Sequence, residues 1–565
     1  RVLARALEDT TLTEGQRDAV RVGLTGTSRF VGVQGYAGTG KTFMVESLRR
    51  YAEKAGYELI GLAPSGRAVE ALKEAIPAAQ TMQSWLMQIR QGGDPGGEGR
   101  GRKILVVDEA GMIAATEMRD LLSHAHRSGF ARVILVGDVK QLDAVSAGQP
   151  FAQLQRAGMP TALMTDIQRQ RDEAGREAVL HAIRGEVKAA MARIGEVAET
   201  GNRAEIAAHV ADRWLALDAK SRAETGIAVL TNAARQSVNE VIRTTLKLEG
   251  HLGAEDRSLL ALKPAGLTRA AAGDARSYST GDILLPLSTS RQHGVEKGDL
   301  YVVLQTDLRA NTVTVEDVRQ GRALTLPLRQ DAKLAASLVL YVPEERNFAM
   351  GERVRFTIAD KDRNIVNGTR GVIQAIGDDS ITVSVSGRDP VMLPLASVTA
   401  RGLDHSYAST VHDFQGSTVN RIIVGLSSVE QLATQKSFYV AISRMREEAL
   451  LVTDDAAALA KRIEANTGDR PTALESWLKA ERERLEKQKA EAPSPPEKAS
   501  PPNWTERQRD VEGQKAGLDQ DRSDRAADYA KLFSLPIERT DAEVAQTLKA
   551  FEERQKQKTI EGPIR

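Results

Sequence analysis

The stretch Gly35-Tyr36-Ala37-Gly38-Thr39-Gly40-Lys41-Thr42 fits the pattern G-x-x-x-x-G-K-[ST] at every fixed position. Residues 30–34 before it form an apolar run typical of a buried strand, and residues 43–56 after it carry apolar side chains at helical spacing. A glycine-rich turn at a helix N-terminus lets backbone N–H groups surround phosphate oxygens. We therefore predict a phosphate-binding loop (P-loop) for ATP, in which Lys41 reaches the β- and γ-phosphates and Thr42 supplies a hydroxyl to Mg²⁺. The predicted nucleotide contacts in the loop are Gly35, Gly38, Thr39, Gly40, Lys41 and Thr42.

The composition limits the possible classes of protein. At 565 residues the chain is long enough for several domains, because single cores stop growing near about 250–300 residues. The 77 basic and 76 acidic side chains nearly cancel, so any nucleic-acid contact must come from a local groove. There are no cysteines, which excludes disulfides and thiolate zinc sites and fits a reducing cytosol. No apolar run approaches the roughly 20 residues of a membrane span, so we predict no membrane insertion. Since the sequence starts at Arg1 without a methionine, we expect it to be a piece of a longer polypeptide.

Carboxylate and amide side chains follow the next two apolar runs beyond the P-loop. Asp108 and Glu109 come directly after residues 103–107, where a carboxylate pair is costly unless it meets a cation. We predict that Asp108 holds Mg²⁺ and that Glu109 orients and deprotonates the attacking water. Gln141 follows the run at residues 132–136, and we predict that it hydrogen-bonds the γ-phosphate.

A glutamine lies on the first turn of the helix that precedes the P-loop. Thr13 is the predicted N-cap of this helix, and Gln16 follows it. A glutamine amide offers both a donor and an acceptor, which suits paired hydrogen bonds to the edge of adenine. We therefore predict that Gln16 contacts the base of the nucleotide.

The loop after the second predicted strand is a candidate nucleic-acid contact. It reads Pro64-Ser65-Gly66-Arg67 and follows a strand at residues 58–63, and ligands bind at the carboxyl ends of strands in open α/β sheets. Further along the chain, Trp85 is predicted either to stack on a base or to pack in the core beside Leu86 and Ile89. The candidate contacts in this part of the chain are Pro64, Ser65, Arg67, Thr81 and Trp85.

The ordered series of motifs resembles that of a known family. The segments GYAGTGKT, GLAPSGRAVEAL, VVDEAGM and LVGDVKQL occur in this order between Gly35 and Leu142. The series is similar to the motifs of superfamily 1 helicases of the RecD-like branch (SF1B). Within that branch it is most similar to the helicase part of the conjugative relaxase-helicases of the TraI/TrwC type. The resemblance extends over about residues 10–455.

The resemblance implies roles for residues further along the chain. Arg169 matches the first arginine finger of the family, with Arg171 as an alternative, and Arg444, in the segment FYVAISRMR, matches the second. In the segment YASTVHDFQGS, Thr410 and His412 match the residues that contact the nucleic-acid backbone, and Gln415 and Gly416 match positions on the nucleotide side.

The predicted fold class is α/β, with two RecA-like parallel-sheet domains, an inserted small all-β domain that the resemblance implies to be SH3-like, and a helical C-terminal tail. The inserted region, which alternates short apolar runs with turn residues, is open to interpretation as one β module or two. The predicted boundaries are 1–158 for the first RecA-like domain with a short loop at 86–102, 159–255 and 400–456 for the second, 256–399 for the β insert, 457–490 for charged helices, 491–503 for a Pro/Ser-rich linker and 504–565 for a helical or partly disordered tail.

The function implied by the resemblance is ATP-dependent unwinding of DNA by movement along a single strand from 5′ to 3′. The implied partners are single-stranded DNA, junctions of single- and double-stranded DNA, and conjugation accessory and type IV secretion coupling proteins. The implied setting is the bacterial cytoplasm, with the protein monomeric on DNA. One alternative is a RecD-like repair or recombination helicase. Another is a non-catalytic module that binds single-stranded DNA, but such a copy is expected to have lost Lys41, Asp108, Glu109 or Arg444, and all four are present.

Overall fold

The computed structural model describes residues 11–93, 102–143 and 148–469, all of which belong to one compact unit, residues 1–479. The predicted linker at 491–503, the predicted tail at 504–565 and the predicted charged helices beyond residue 469 lie outside the described residues, as do residues 94–101 of the predicted loop at 86–102. The first residues of that loop, 86–90, instead belong to the helix Met82–Arg90. No helix among the described residues is both long and apolar enough to cross a membrane.

The first sheet is entirely parallel and carries the P-loop at the carboxyl end of its strand β1. Its six strands lie in the order β3-β2-β4-β5-β1-β6. The central strands are buried along almost their whole length, and their sequences are therefore continuous apolar runs rather than alternating apolar and polar residues. The sixth strand pairs with β1, so the first sheet extends past the predicted domain boundary at residue 158. The strands are β1 (Phe30–Gly35), β2 (Glu58–Ala63), β3 (Ala79–Thr81), β4 (Lys103–Val107), β5 (Arg132–Gly137) and β6 (Thr161–Met164).

Helices cover both faces of this sheet, and we refer to the sheet with its helices as the first module. Thr13 caps the first of them, and Gln16 completes a reciprocal capping box. The helices are Glu14–Thr25, Lys41–Lys54, Gly66–Lys73, Met82–Arg90, Ala115–Arg127 and Pro150–Arg156.

The second sheet is also parallel, but it is assembled from two distant parts of the chain. Its five strands lie in the order β20-β8-β21-β22-β7. The strands are β7 (Glu196–Glu199), β8 (Thr225–Val229), β20 (Ala408–Thr410), β21 (Val419–Gly425) and β22 (Met445–Thr453). The helices of this second module are Glu173–Arg184, Val187–Met191, Ile206–Leu215, Ala219–Glu224, Asn232–Leu248, Val411–Phe414, Gln435–Ile442 and Ala456–Ala465.

The β insert between the two parts of the second sheet forms two antiparallel sheets. The first has six strands in the order β13-β12-β11-β10-β14-β9, and the second has five in the order β18-β17-β16-β15-β19. The strands are β9 (Arg257–Pro264), β10 (Ile283–Pro286), β11 (Tyr301–Asp307), β12 (Thr312–Asp317), β13 (Ala323–Pro327), β14 (Leu338–Phe348), β15 (Arg353–Phe356), β16 (Arg370–Ile376), β17 (Ser380–Val385), β18 (Val391–Pro394) and β19 (Leu403–His405). Short helices accompany them at Arg269–Ala272, Ala332–Ser337 and Val398–Arg401.

The two antiparallel sheets repeat one structural pattern. In the first sheet, an isolated bridge joins Ser290 to Val295, and in the second sheet a bridge joins Asp360 to Ile365. A glycine with positive φ then precedes the next strand in both sheets, and both strand pairs shift register at the corresponding place. The predicted β region therefore contains two related antiparallel sheets.

A hydrophobic core joins the first module to the second. Ala37 from the P-loop and Ile167 pack with the buried side chains of the second module, among them Val411, Phe438 and Tyr439. Two other clusters fill the two faces of the first sheet. The two parallel sheets and the inserted antiparallel structure confirm the predicted α/β fold class. We call the boundary between the first and second modules the seam.

Candidate nucleotide site and nucleic-acid interface

The P-loop turns tightly around the side chain of Lys41. The Lys41 ammonium donates to the carbonyl oxygens of Gly35 at 2.8 Å and Tyr36 at 3.2 Å. Gly38 and Gly40 have φ values of 84° and 76°, which only glycine adopts without strain. A Cβ at Gly40 would also lie 2.5 Å from the Gln16 amide nitrogen. Gly40, a fixed glycine of the pattern, is therefore required by backbone conformation as well as by space, and Gly38, at a variable position, is required by its backbone conformation.

The structure places Gln16 directly against this loop. Its amide nitrogen donates to the Thr39 carbonyl at 2.9 Å, and its side-chain oxygen accepts the Thr13 backbone N–H at 3.0 Å. The side chain is buried. Because the amide oxygen already caps the helix, paired hydrogen bonds to adenine require that cap to open. Contact between Gln16 and the base stays a prediction.

Asp108 and Glu109 follow β4 at the same edge of the sheet. The Asp108 carboxylate accepts the Glu109 backbone N–H at 2.8 Å, and Glu109 adopts the left-handed conformation with φ 49°, which is uncommon for a residue with a side chain. Burial and the neighbouring Glu109 charge raise the pKa of Asp108 to about 6, although Lys41 opposes the shift. A divalent cation at this carboxylate would relieve both effects. A hydroxyl from Thr42 and the Asp108 carboxylate are oxygen ligands of the kind that Mg²⁺ prefers, so the residues fit the ion.

Gln141 lies at the seam, on the loop that follows β5. Its amide nitrogen donates to Asp138 at 3.1 Å. Its side-chain oxygen accepts hydrogen bonds from Arg444 at 2.9 Å and from Gln415 at 3.2 Å, both in the second module. All four side chains are buried. The first module thus offers one amide oxygen that two donors of the second module share.

The two predicted arginine fingers approach the P-loop from the same side. Arg169 donates to the Ser443 carbonyl at 2.8 Å, and its Cβ lies 2.7 Å from where a side chain at Gly38 would begin. Burial, assisted by the neighbouring Arg444, lowers the pKa of Arg169 to about 10. Burial also lowers the pKa of Arg444, whereas the Glu109 charge opposes that shift. Half-buried Arg169 and buried Arg444, both near the Glu109 charge, form a site that favours added negative charge.

One residue of this seam was missed by the sequence reasoning. The Tyr439 hydroxyl contacts both the P-loop and Asp138. Tyr439 lies before Arg444, inside a segment that the sequence singled out. An aromatic residue within an apolar helical stretch normally indicates core packing, so the sequence carried no signal for the Tyr439 contact.

Several of the predicted nucleic-acid contacts border one cavity between the modules. The cavity has a volume of about 350 Å³ and opens beside the exposed side chains of Ser65 and His412. Glu109 from the candidate catalytic pair also lines it, as do Gln415 and Gly416. The cavity therefore connects the candidate hydrolysis site with the candidate strand contacts.

Arg67 has a different role from the one predicted. Its guanidinium donates to the Asp413 carbonyl at 2.6 Å, to the Ser417 hydroxyl at 3.1 Å and to the Gly368 carbonyl at 3.1 Å. These partners belong to the second module and to the second antiparallel sheet. Arg67 thus links three parts of the chain through hydrogen bonds, and its guanidinium already donates to protein acceptors.

Hydroxyl side chains among the predicted DNA contacts cap helices. Ser65 accepts the Ala68 N–H at 3.2 Å, Thr81 accepts the Ser84 N–H at 3.2 Å, and Thr410 accepts the Asp413 N–H at 3.2 Å. Each cap leaves the hydroxyl proton available to a phosphate oxygen. Pro64 borders the cavity beside Ser65, whereas Thr81 does not line it.

The predicted contact between Trp85 and a base is wrong. Trp85 is fully buried and packs in the core of the first module with Met82, Leu86 and Phe130. Its ring meets that of His124 edge to face, with centroids 5.0 Å apart. Of the two interpretations left open by the sequence, the structure supports core packing, because Trp85 lies on the inner face of its helix.

Comparison with known proteins agrees with this geometry. The family model described as an AAA domain matches residues 11–202. The multifunctional conjugation protein TraI of Escherichia coli strain K12 is 27% identical over 504 residues, which cover 79% of this chain and 27% of TraI. The conjugal transfer protein TraA of Agrobacterium fabrum is 29% identical over 442 residues, covering 77% of this chain and 32% of TraA. The ATP-dependent RecD2 DNA helicase of Deinococcus radiodurans is 34% identical over 159 residues, covering 28% of this chain and 21% of RecD2.

Two parallel sheets that meet at a P-loop, with two arginines near that loop, define the class of two-domain P-loop nucleotide-binding proteins. Within this class, the chain is similar to superfamily 1 helicases of the RecD-like branch, and TraI and TraA are among its relatives. The resemblance predicted from the motif series is confirmed. The chain spans about a quarter of the length of TraI.

Proposed function

We propose that this chain is an ATP-driven DNA helicase that moves along a single strand, and that it forms the helicase part of a conjugative relaxase. The observation that carries the proposal is the contact of Gln141 with Arg444 and Gln415 across the seam. Both modules also border the cavity beside Ser65 and His412. Opening and closing of the seam would therefore change the nucleotide site and the strand site together.

The residues of the first module would bind the nucleotide and Mg²⁺. Lys41 and the P-loop amides would hold the phosphates, while Thr42 and Asp108 would hold the ion. Bound Mg²⁺ neutralises phosphate charge during transfer. Glu109 lies next to Asp108, where it can orient a water molecule and accept a proton from that water. Binding of the cation would lower the pKa of Asp108, because the positive charge offsets burial and the Glu109 charge.

The two arginines of the seam would stabilise the charge that develops during hydrolysis. Arg169 is half-buried and lies against the P-loop at Gly38, whereas Arg444 is buried and contacts Gln141. Both lie near the Glu109 charge. Donors fixed before the reaction need no reorganisation while it proceeds, which makes them effective. Gln141 would report the presence of the γ-phosphate to Arg444 through their shared hydrogen bond.

The cavity beside Ser65 and His412 would hold the phosphate backbone of one strand. Contacts of this kind are independent of base sequence, as a translocating enzyme requires. Alternating grip during cycles of seam closure would give directional movement, which we propose to be 5′ to 3′. In keeping with the kinship to TraI, we expect the protein to act as a monomer on DNA and to meet conjugation accessory and type IV secretion coupling proteins.

The test uses the purified chain with ATP, Mg²⁺ and three DNA substrates: a blunt duplex, a 5′-tailed duplex and a 3′-tailed duplex. We expect ATPase activity that single-stranded DNA stimulates, together with unwinding of the 5′-tailed duplex. Lys41→Ala is the matched control, since it should abolish hydrolysis and leave strand binding, measured by fluorescence anisotropy, within about twofold of the parent.

Two results would contradict the proposal. Binding of single-stranded DNA without any ATPase activity would show that the chain is a non-catalytic module. Unwinding of the 3′-tailed duplex alone would show that movement runs from 3′ to 5′.

A further inference from the structure

A phenol from the second module reaches the backbone of the P-loop. Tyr439 lies on the helix Gln435–Ile442, and its hydroxyl oxygen accepts the Ala37 N–H at 2.6 Å. The same hydroxyl donates to a carboxylate oxygen of Asp138 at 2.8 Å. The two ends of this link are separated by 402 residues of sequence. One side chain of the second module is thereby joined to both phosphate-side loops of the first.

Asp138 is the point at which these contacts converge. One carboxylate oxygen accepts from the Gln34 amide at 3.0 Å and from the Lys140 backbone N–H at 3.0 Å. The other accepts from the Tyr439 hydroxyl and from the Gln141 amide at 3.1 Å. Asp138 is buried, so its charge depends on these donors. Tyr439 and Gln141 share one oxygen, which links the position of the phenol to that of the predicted γ-phosphate sensor.

The environment keeps the phenol in its donating form. Tyr439 is fully buried, and burial together with the Asp138 charge raises its pKa well above the ordinary value. Its ring packs in the core that joins the modules, which fixes the direction of the hydroxyl. The contact can form only when the second module lies against the first, because the donor and its partners lie on opposite sides of the seam.

We infer that Tyr439 is a positioning residue for ATP hydrolysis, which sets the P-loop and Gln141 in their reactive arrangement when the seam closes. It acts through Ala37 and Asp138 and does not itself contact the reacting atoms. This inference rests on the proposed ATPase function. Tyr439 would thus couple closure of the seam to ATP hydrolysis, in addition to the two arginines.

The test is Tyr439→Phe, which keeps the buried ring and removes only the hydroxyl. Since closure is needed for hydrolysis but the phosphate contacts of the P-loop lie in the first module, we expect the DNA-stimulated kcat to fall about tenfold. Affinity for a fluorescent non-hydrolysable ATP analogue should stay within about twofold of the parent. Loss of the two buried hydrogen bonds that this hydroxyl makes typically corresponds to a change of this order or larger.

Tyr301→Phe is the matched control. Tyr301 is equally buried, and its hydroxyl also accepts a backbone N–H, that of Glu296 at 2.9 Å, but it lies in the first antiparallel sheet. The two variants should lose similar thermal stability, whereas only Tyr439→Phe should lose kcat. A kcat within twofold of the parent, or a matching loss of kcat and analogue affinity, would overturn the inference. An inactive parent protein would instead overturn the proposed function.

Discussion

Arg444 donates a hydrogen bond to the side-chain oxygen of Gln141 across the seam, at 2.9 Å, and both side chains are buried. The pair joins the last helicase motif of the chain to the loop after β5. The guanidinium donates to two neutral acceptors, the Gln141 amide and the Val440 carbonyl at 3.2 Å, and the nearby Glu109 charge compensates part of its positive charge. The arrangement is therefore suited to receive a negatively charged group between the two modules.

The first prediction concerns the geometry of this guanidinium. Arg444→Lys keeps the positive charge but loses the planar fork that reaches Gln141, so we expect kcat for ATP to fall about 10³-fold with little change in nucleotide affinity. Arg171→Lys is the control, because Arg171 is largely exposed and pairs with Glu447 at the surface. Steady-state ATPase assays with single-stranded DNA check both variants, and equal loss in the two would contradict the prediction.

The second prediction concerns the buried carboxyl group of Asp108. Its pKa is raised from 3.8 to about 6, so the folded state holds a proton that the unfolded state releases as the pH rises between these values. Stability therefore falls as the pH rises through this window and remains lower above it. Asp108→Asn should remove the free-energy cost of burying the charged carboxylate and stabilise the protein by about 1–3 kcal/mol at pH 7.5. The same change should abolish ATP hydrolysis.

Denaturant unfolding at pH 7.5 and pH 4.5, without nucleotide or Mg²⁺, measures this effect. The increase in the free energy of unfolding of Asp108→Asn over the parent should be smaller at pH 4.5 than at pH 7.5. Asp120→Asn serves for comparison, because hydrogen bonding to Arg119 holds the pKa of Asp120 below its usual range and its loss should not stabilise the fold. A less stable Asp108→Asn protein at pH 7.5 would refute the argument.

The third prediction separates two aromatic side chains that the sequence offered as strand contacts. His412 is exposed at the cavity, whereas Trp85 is fully buried. His412→Ala should weaken binding of single-stranded DNA about tenfold and reduce DNA stimulation of the ATPase, with basal hydrolysis unchanged. Trp85→Phe should lower stability and leave strand affinity unchanged. Anisotropy titrations check both, with His126→Ala, at an exposed position on another helix, as the control.

The fourth prediction concerns the ion pairs of Lys436 at the seam. Its ammonium lies 2.6 Å from Asp143 of the first module and 2.8 Å from Asp469 beyond the last described helix. Although burial opposes the shift, hydrogen bonds from Lys436 and Gln149 lower the pKa of Asp469 to about 2. Lys436→Met should destabilise the protein by about 2–4 kcal/mol, because it leaves carboxylates without their cation. Denaturant unfolding tests this, and Lys73→Met, at an exposed pair with Glu70, should have almost no effect.

Local patterns were sufficient for the parts of the site whose chemistry lies within one short segment. The glycines of the P-loop, the carboxylate pair after β4 and the capping box of Gln16 each depend on neighbours a few residues away. The fold class followed in the same way, because buried parallel strands and alternating antiparallel strands leave different periodicities in a sequence.

Contacts between distant segments were beyond such reasoning. An arginine after a strand is read as a free cation, yet Arg67 donates to three oxygens contributed by segments more than 300 residues away. The residues around Trp85 left base stacking and core packing both open, because no local pattern indicated which side of the helix Met82–Arg90 lies inside. Likewise the link of Tyr439 to Ala37 exists only because two modules meet, and no spacing within either segment indicates it.

The division of the second sheet has a consequence for how the protein is made. The strands β7 and β8 leave the ribosome before the β insert, whereas β20, β21 and β22 follow it. At roughly 5–20 residues per second, synthesis of the intervening segment takes on the order of 10 s or more. During that interval the first module can fold, but the apolar surface around Ala37 and Ile167 still lacks its cover. We expect nascent chains stalled within the insert to bind chaperones through this surface, and full-length chains to release them once Arg444 has emerged.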